Sequence, residues 1–251
     1  MSKNPRLQLT VRDHTRVIQA LMKHSEELGP LFERRSATGG DPSVAALVAL
    51  RRMPGVAPSL VRKIGAVIKC APLLKAAARK VPAKVRAEAR RLMTAVHAQK
   101  GVRAKLRYLR RVKASGQHAQ QPGLAVGVDV AIAILEDGMA TIYSSRHPFY
   151  KKLSRRPGAK ARAAGAVTGV VPPSPAPDPV ANQDVEGALI GGAIGGIAGA
   201  ALGGSVAGPV GAIGGGLTLG AGGALVGASI WSGRAVLDFI RKLSKKIGGV
   251  S

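Results

Sequence analysis

The sequence predicts a mainly α-helical chain: a basic N-terminal helical region, a Pro-rich linker and a C-terminal glycine-zipper helical hairpin. Three observations predict this. Glycine recurs at 187, 191, 195, 199 and 203, an unbroken four-residue period in an uncharged stretch from Gly187 to Gly233. Residues 59–114 interleave apolar side chains at helical spacing with many Lys and Arg and a single acid, Glu88. Between these halves, VVPPSPAPDPVANQD supplies five prolines, the composition of an extended, semi-rigid spacer.

A chain of 251 residues has room for one or two domains. Its net charge of +25 and isoelectric point near 11.4 imply partners that carry phosphate, either nucleic acid or lipid headgroups. With only seven aromatic residues, a large well-packed core is not expected. The one cysteine, Cys70, excludes an internal disulfide and a Cys-cluster zinc site. The opening MSKNPRLQLTVRDHTR has no apolar core, so no secretory signal is expected, and no lipid-anchor motif is legible.

Residues 1–114 form the basic helical region. Val11, Val17, Ile18, Leu21, Met22 and Leu28 recur at helical spacing, and Gly29-Pro30 stops that helix. Asp41 and Pro42 open a second helix, from Val44 to about Met53. Pro72, Pro82 and Gly101 divide the basic block into short amphipathic helices. Its anion-binding candidates are Arg79, Lys80, Arg90, Arg91, Arg103, Arg107, Arg110 and Arg111. Only Tyr108 interleaves with them, so the aromatic platform of a single-strand binder is absent.

Residues 115–165 join a polar hinge, SGQHAQQPG, to a mixed apolar and aromatic-basic segment. Within it, Val126, Val128, Val130, Ile132 and Ile134 alternate with small residues, and Asp137-Gly138 is a turn signal. That pattern suits a small β-hairpin at 125–143. The competing reading is a helix to Glu136 with Gly138 past its end, and it is slightly preferred because a lone hairpin lacks a partner sheet. Residues 166–186 are the Pro-rich linker.

Residues 187–233 are the zipper. On a helix, residues four apart share a face. Gly187, Gly191, Gly195, Gly199 and Gly203 therefore make a flat strip for helix packing, and a second strip runs through 192, 196, 204 and 208. Gly costs a helix about 1 kcal/mol relative to Ala. Close backbone packing offsets that, and in lipid it is what holds helices together. Leu189, Ile190, Ile194 and Ile197 lie off the strip, where they could meet acyl chains. One span takes roughly 20 residues, so two are drawn, at about 187–207 and 211–231, turning at Ala207–Val210 around Pro209, a short and nearly apolar turn that permits a hairpin reaching part-way across the bilayer as well as a full double span. So weakly apolar a segment is expected to insert only on assembly or from a soluble form. Trp231 ends the second span. The tail, 234–251, is a basic amphipathic helix, and its Phe239, Arg241, Lys242, Lys245 and Lys246 join Trp231 as the interfacial candidates.

No active site is expected. His14, His24, His97, His118 and His147 are isolated in sequence and lack metal-ligand spacing. GGAIGG and GAIGGG echo a phosphate loop, but no Lys-Ser/Thr follows. No cofactor, metal or catalytic residue is assigned.

GALIGGAIGGIAGAALGG, with GPVGAIGGGLTLGAGGALVGA after it, resembles the bacterial glycine-zipper segments of two-span glycine-zipper proteins and bacteriocin-like membrane-active peptides. The resemblance covers 187–227 only. It implies a role in or on membranes, with Gly187, Gly191, Gly195, Gly199 and Gly203 as the helix contact. The expected function is that of a non-enzymatic membrane protein. Its partners would be anionic lipid headgroups, nucleic acid, and further copies of itself through the glycine face. A bacterial inner membrane or a virion membrane would be its location. The alternatives are a nucleic-acid-packaging or virion protein with a Gly-rich anchor, and a pore-forming or bacteriocin-like toxin.

Overall fold

The computed structural model describes residues 10–24, 28, 48, 51–52, 56–63, 65, 79, 81–118, 120–144, 146–149, 180–196, 224 and 227–228. These are mainly helical, and none of them is in a strand. Five helices organise them: α1 (Val11–Lys23), α2 (Ala83–His97), α3 (Val102–Ala114), α4 (Pro122–Gly138) and α5 (180–196). Gly199, Gly203, Trp231, Phe239, Arg241, Lys242, Lys245, Lys246 and Lys80 lie outside the described residues, as do the prolines of the spacer and the turn at Ala207–Val210.

Helix α1 begins with a capping box. Thr10 Oγ1 accepts from the Asp13 backbone N–H at 3.1 Å, and Asp13 Oδ2 accepts from the Thr10 N–H at 3.0 Å. One Asp13 oxygen also meets Lys63 Nζ at 2.5 Å, which ties a helical turn at 58–63 to the start of α1. Val17, Ile18, Leu21 and Met22 form the buried stripe that the spacing predicts.

Helix α2 starts directly after Pro82, and α3 starts after Gly101, whose φ of +83° is a conformation that favours glycine. Lys105, 1% exposed, donates back to the Gln99 carbonyl and so satisfies an acceptor just past the end of α2. The short connection after α3 sends α4 back alongside it. Arg110 then pairs with Glu136 and Lys113 with Asp129, each at 2.7 Å.

Residues 122–138 are a helix, which corrects the β-hairpin alternative at 125–143. Pro122 takes the first position, and the chain turns after Gly138. The Val/Ile alternation misleads because α4 is buried almost all round. Leu124, Val128, Ala131, Ile134 and Leu135 are at most 2% exposed, and Val130 and Ile132 on other sides are also in the core. A helix in core contact around most of its circumference, exposed chiefly along Asp129 and Glu136, shows little amphipathic period. α4 packs against α1 and α3 at the centre of the core.

Helix α5 holds a second departure. Residues 180–186, which the proline-rich composition assigns to the spacer, are helical and continuous with the zipper. Val180, Ala181, Val185, Ala188 and Leu189 are fully buried and belong to the same core as α1 and α4. Leu189 and Ile194, expected to face acyl chains, are covered by the protein itself.

Candidate functional site

The glycine rows of α5 are used on two sides. On one, Gly192 and Gly196 meet Gly123 and Gly127 of α4. A Cβ placed on Gly192 would lie 2.7 Å from the Gly127 Cα and 2.7 Å from the Gly123 carbonyl oxygen. A Cβ on Gly127 would lie 2.9 Å from the Ala188 carbonyl oxygen. On the other side, a Cβ on Gly187 would lie 2.5 Å from the Gly227 carbonyl oxygen and 2.6 Å from the Ala228 Cα. Gly191 joins that second contact, its Cα 3.1 Å from the Cβ position of Gly227. Real Cβ atoms essentially never approach backbone as closely as 2.9 Å, so a side chain at Gly127, Gly187 or Gly192 would require a backbone shift.

Of the predicted packing residues, Gly187 and Gly191 thus sit at a helix contact, and Gly195 is buried in α5. The row one residue on, Gly192 and Gly196, makes the contact with α4. The partners Gly123 and Gly127 are absent from the sequence reading. Their signal was present: they stand four apart in PGLAVGV, the spacing that marks the zipper itself.

Asp184 makes a buried polar tie near the start of α5. Its side chain and that of His14 are fully buried, with His14 Nε2 2.9 Å from Asp184 Oδ1. The Tyr143 hydroxyl, from the turn after α4, donates to Asp184 Oδ2. Three segments remote in sequence therefore converge on one carboxylate. A buried carboxylate requires such partners, because an unpaired one is strongly penalised. His118 is likewise partnered, its Nδ1 2.6 Å from Glu88 Oε1, while Gln121 Nε2 donates to the other Glu88 oxygen. Both histidines, isolated in sequence, thus have a carboxylate neighbour in the fold.

Inward placement of Glu88 leaves the outer side of α2 and α3 basic. Ala89, Leu92, Val96, Leu106, Leu109 and Val112 point into the core, while Arg90, Arg91, Arg103, Arg107, Arg110 and Arg111 are exposed. Arg79 is exposed as well. Arg110 is engaged by Glu136, and Arg111 lies 5.9 Å above the Tyr108 ring. Arg90, Arg91, Arg103 and Arg107 have no acidic partner among the described residues. Exposed guanidiniums on rigid helices suit phosphate oxygens, which they can engage in pairs.

Among the described residues, no helix is long and apolar enough to cross a membrane. No group of three or more His, Cys, Asp and Glu among them is placed to hold a metal ion. No protein-family model matches the chain, and neither the curated proteins nor the solved structures yield a match.

Proposed function

We propose that this chain is a non-enzymatic, membrane-associated protein. The basic face of α2 and α3 docks on an anionic bilayer, and the glycine-zipper hairpin then enters it. The observation that carries the reading is the backbone contact of Gly187 with Gly227. These glycines are equidistant in sequence from residue 207, within the turn expected at Ala207–Val210. Such a contact is what an antiparallel hairpin of 187–207 on 211–231 requires. The contact needs no hydrophobic effect, so it can persist unchanged in lipid. In the described fold the zipper helix is sheathed by α1 and α4, which fits a segment too weakly apolar to insert unaided.

Flotation with vesicles tests this. The full chain should float with phosphatidylglycerol-containing vesicles and not with purely zwitterionic ones. Replacing Arg90, Arg91, Arg103 and Arg107 together by Glu should abolish the association. Equal binding to both vesicle types, or full retention in the charge-reversed variant, contradicts docking through this face.

A second reading is a nucleic-acid-packaging role with the Gly-rich segment as anchor. It is favoured by the predominance of Arg over Lys on the exposed face, because Arg pairs bidentately with phosphate. It predicts DNA or RNA binding that falls steeply between low and moderate salt. Absence of binding at low salt removes it.

A further inference from the structure

Two kinds of contact hold α5 in the bundle, and they differ in what lipid does to them. The glycine contacts with α4 and with Gly227 are apolar backbone packing, which water and hydrocarbon tolerate alike. The tie at Asp184 is polar and buried, and it joins α5 to α1 through His14 and to the turn after α4 through Tyr143. Helix α1 cannot follow α5 into hydrocarbon, because Arg12, Arg16 and Lys23 stand exposed on it. Asp184 lies just before the expected first span, so an inserted hairpin would return its carboxylate to water at the interface.

We propose that Asp184 is a latch. Its contacts with His14 and Tyr143 clamp the N-terminal end of α5 inside the bundle, and their loss frees α5 while α2 and α3 stay folded. The latch rests on the membrane reading for its purpose but not for its existence, since it is a property of the protein in water. The placement supports separability. The tie sits where α1, α5 and the turn at 139–144 meet, whereas α2 and α3 are held elsewhere, by the packing of α3 on α4 and of α2 on α3 and by Glu88 with His118 and Gln121.

Hydrogen exchange on the full chain in the absence of lipid tests the latch, with Asp184→Asn as the first variant. Amides of 180–196 should exchange about tenfold faster or more than in the parent, while those of α2 and α3 keep their protection. Should Asp184→Asn fail to fold, Tyr143→Phe removes one donor at nearly constant volume and is expected to loosen the same segment by a smaller factor. Acceleration by one common factor through all helices would make Asp184 an ordinary stability determinant and overturn the proposal. Unchanged exchange at 180–196 in both variants would overturn it too. Dye release from phosphatidylglycerol vesicles separates the latch from the membrane reading. Faster exchange at 180–196 with faster release supports both, whereas faster exchange with no release at all keeps the latch and rejects insertion.

Discussion

Gly192 of α5 and Gly123 of α4 meet backbone to backbone: a Cβ on Gly192 would stand 2.7 Å from the Gly123 carbonyl oxygen. Neither residue can gain a side chain without moving a helix. The four-residue glycine spacing recurs on both partners, Gly123 and Gly127 against Gly192 and Gly196, so the contact is a two-sided zipper. In water the surrounding apolar core, from Ile18 and Leu124 to Leu189, stabilises what the glycines weaken.

Gly192→Ala is expected to lower Tm even though Ala is the better helix former. Overpacking costs typically about 1–3 kcal/mol, against about 1 kcal/mol gained in helix propensity. Gly192→Val, with its branched Cβ, should lower Tm further. A rise in Tm for Gly192→Ala would mean that the two backbones have room between them.

The exposed ion pairs between α3 and α4 should matter little to stability. Arg110 and Glu136 are both largely exposed, as are Lys113 and Asp129. Exposed pairs contribute about 0–1 kcal/mol. Arg110→Gln is therefore expected to leave the denaturant midpoint nearly unchanged, and a large drop would show that the pair does more than decorate the surface.

Asp13 should contribute to stability at neutral pH and not in acid. Burial pushes its carboxyl up, but hydrogen bonds from Lys63 and Thr10, with the Lys63 charge, outweigh burial and hold it below the ordinary 3.8. The contribution is present above 3.8 and is lost as pH falls through the lowered value, where the folded form must also take up the proton. Asp13→Asn should be less stable than the parent at pH 7, and the difference should close in acid. A difference that stays constant from pH 7 to strong acid would contradict the linkage.

His147 should act with the opposite charge logic. Burial holds its imidazole below the ordinary 6.5, and its Nδ1 accepts from the Phe149 N–H at 3.2 Å. As pH drops through 6.5 the unfolded chain takes up a proton that the folded chain does not, so stability falls. His147→Asn, which keeps an acceptor but does not titrate, should flatten the stability profile between the lowered value and pH 6.5. An unchanged slope in that window would place the titration elsewhere.

Helical character and the glycine rows were legible because both are local periodicities. In the fold, Gly187 and Gly191 lie against Gly227. The basic outer face was legible in part, since apolar side chains recur at helical spacing among the Lys and Arg of 59–114, as Leu92 and Val96 do on the inner side of α2. Helix α4 was not securely legible. Its burial around most of its circumference weakens the amphipathic period, and the Val/Ile alternation then imitates a strand. The start of α5 was hidden by the prolines before it, which made Val180–Glu186 look like spacer. The Asp184 tie was beyond reach, because His14, Tyr143 and Asp184 come together only through the packing of three remote segments.

Carbonate extraction of bacterial membranes carrying the full chain tests the central claim most directly. Insertion of the 187–233 hairpin predicts that the protein stays in the membrane fraction after the wash. It also predicts that replacing Gly187 and Gly227 together by Leu releases it. Complete extraction of the parent chain would contradict insertion and leave the α2–α3 basic face as the functional surface.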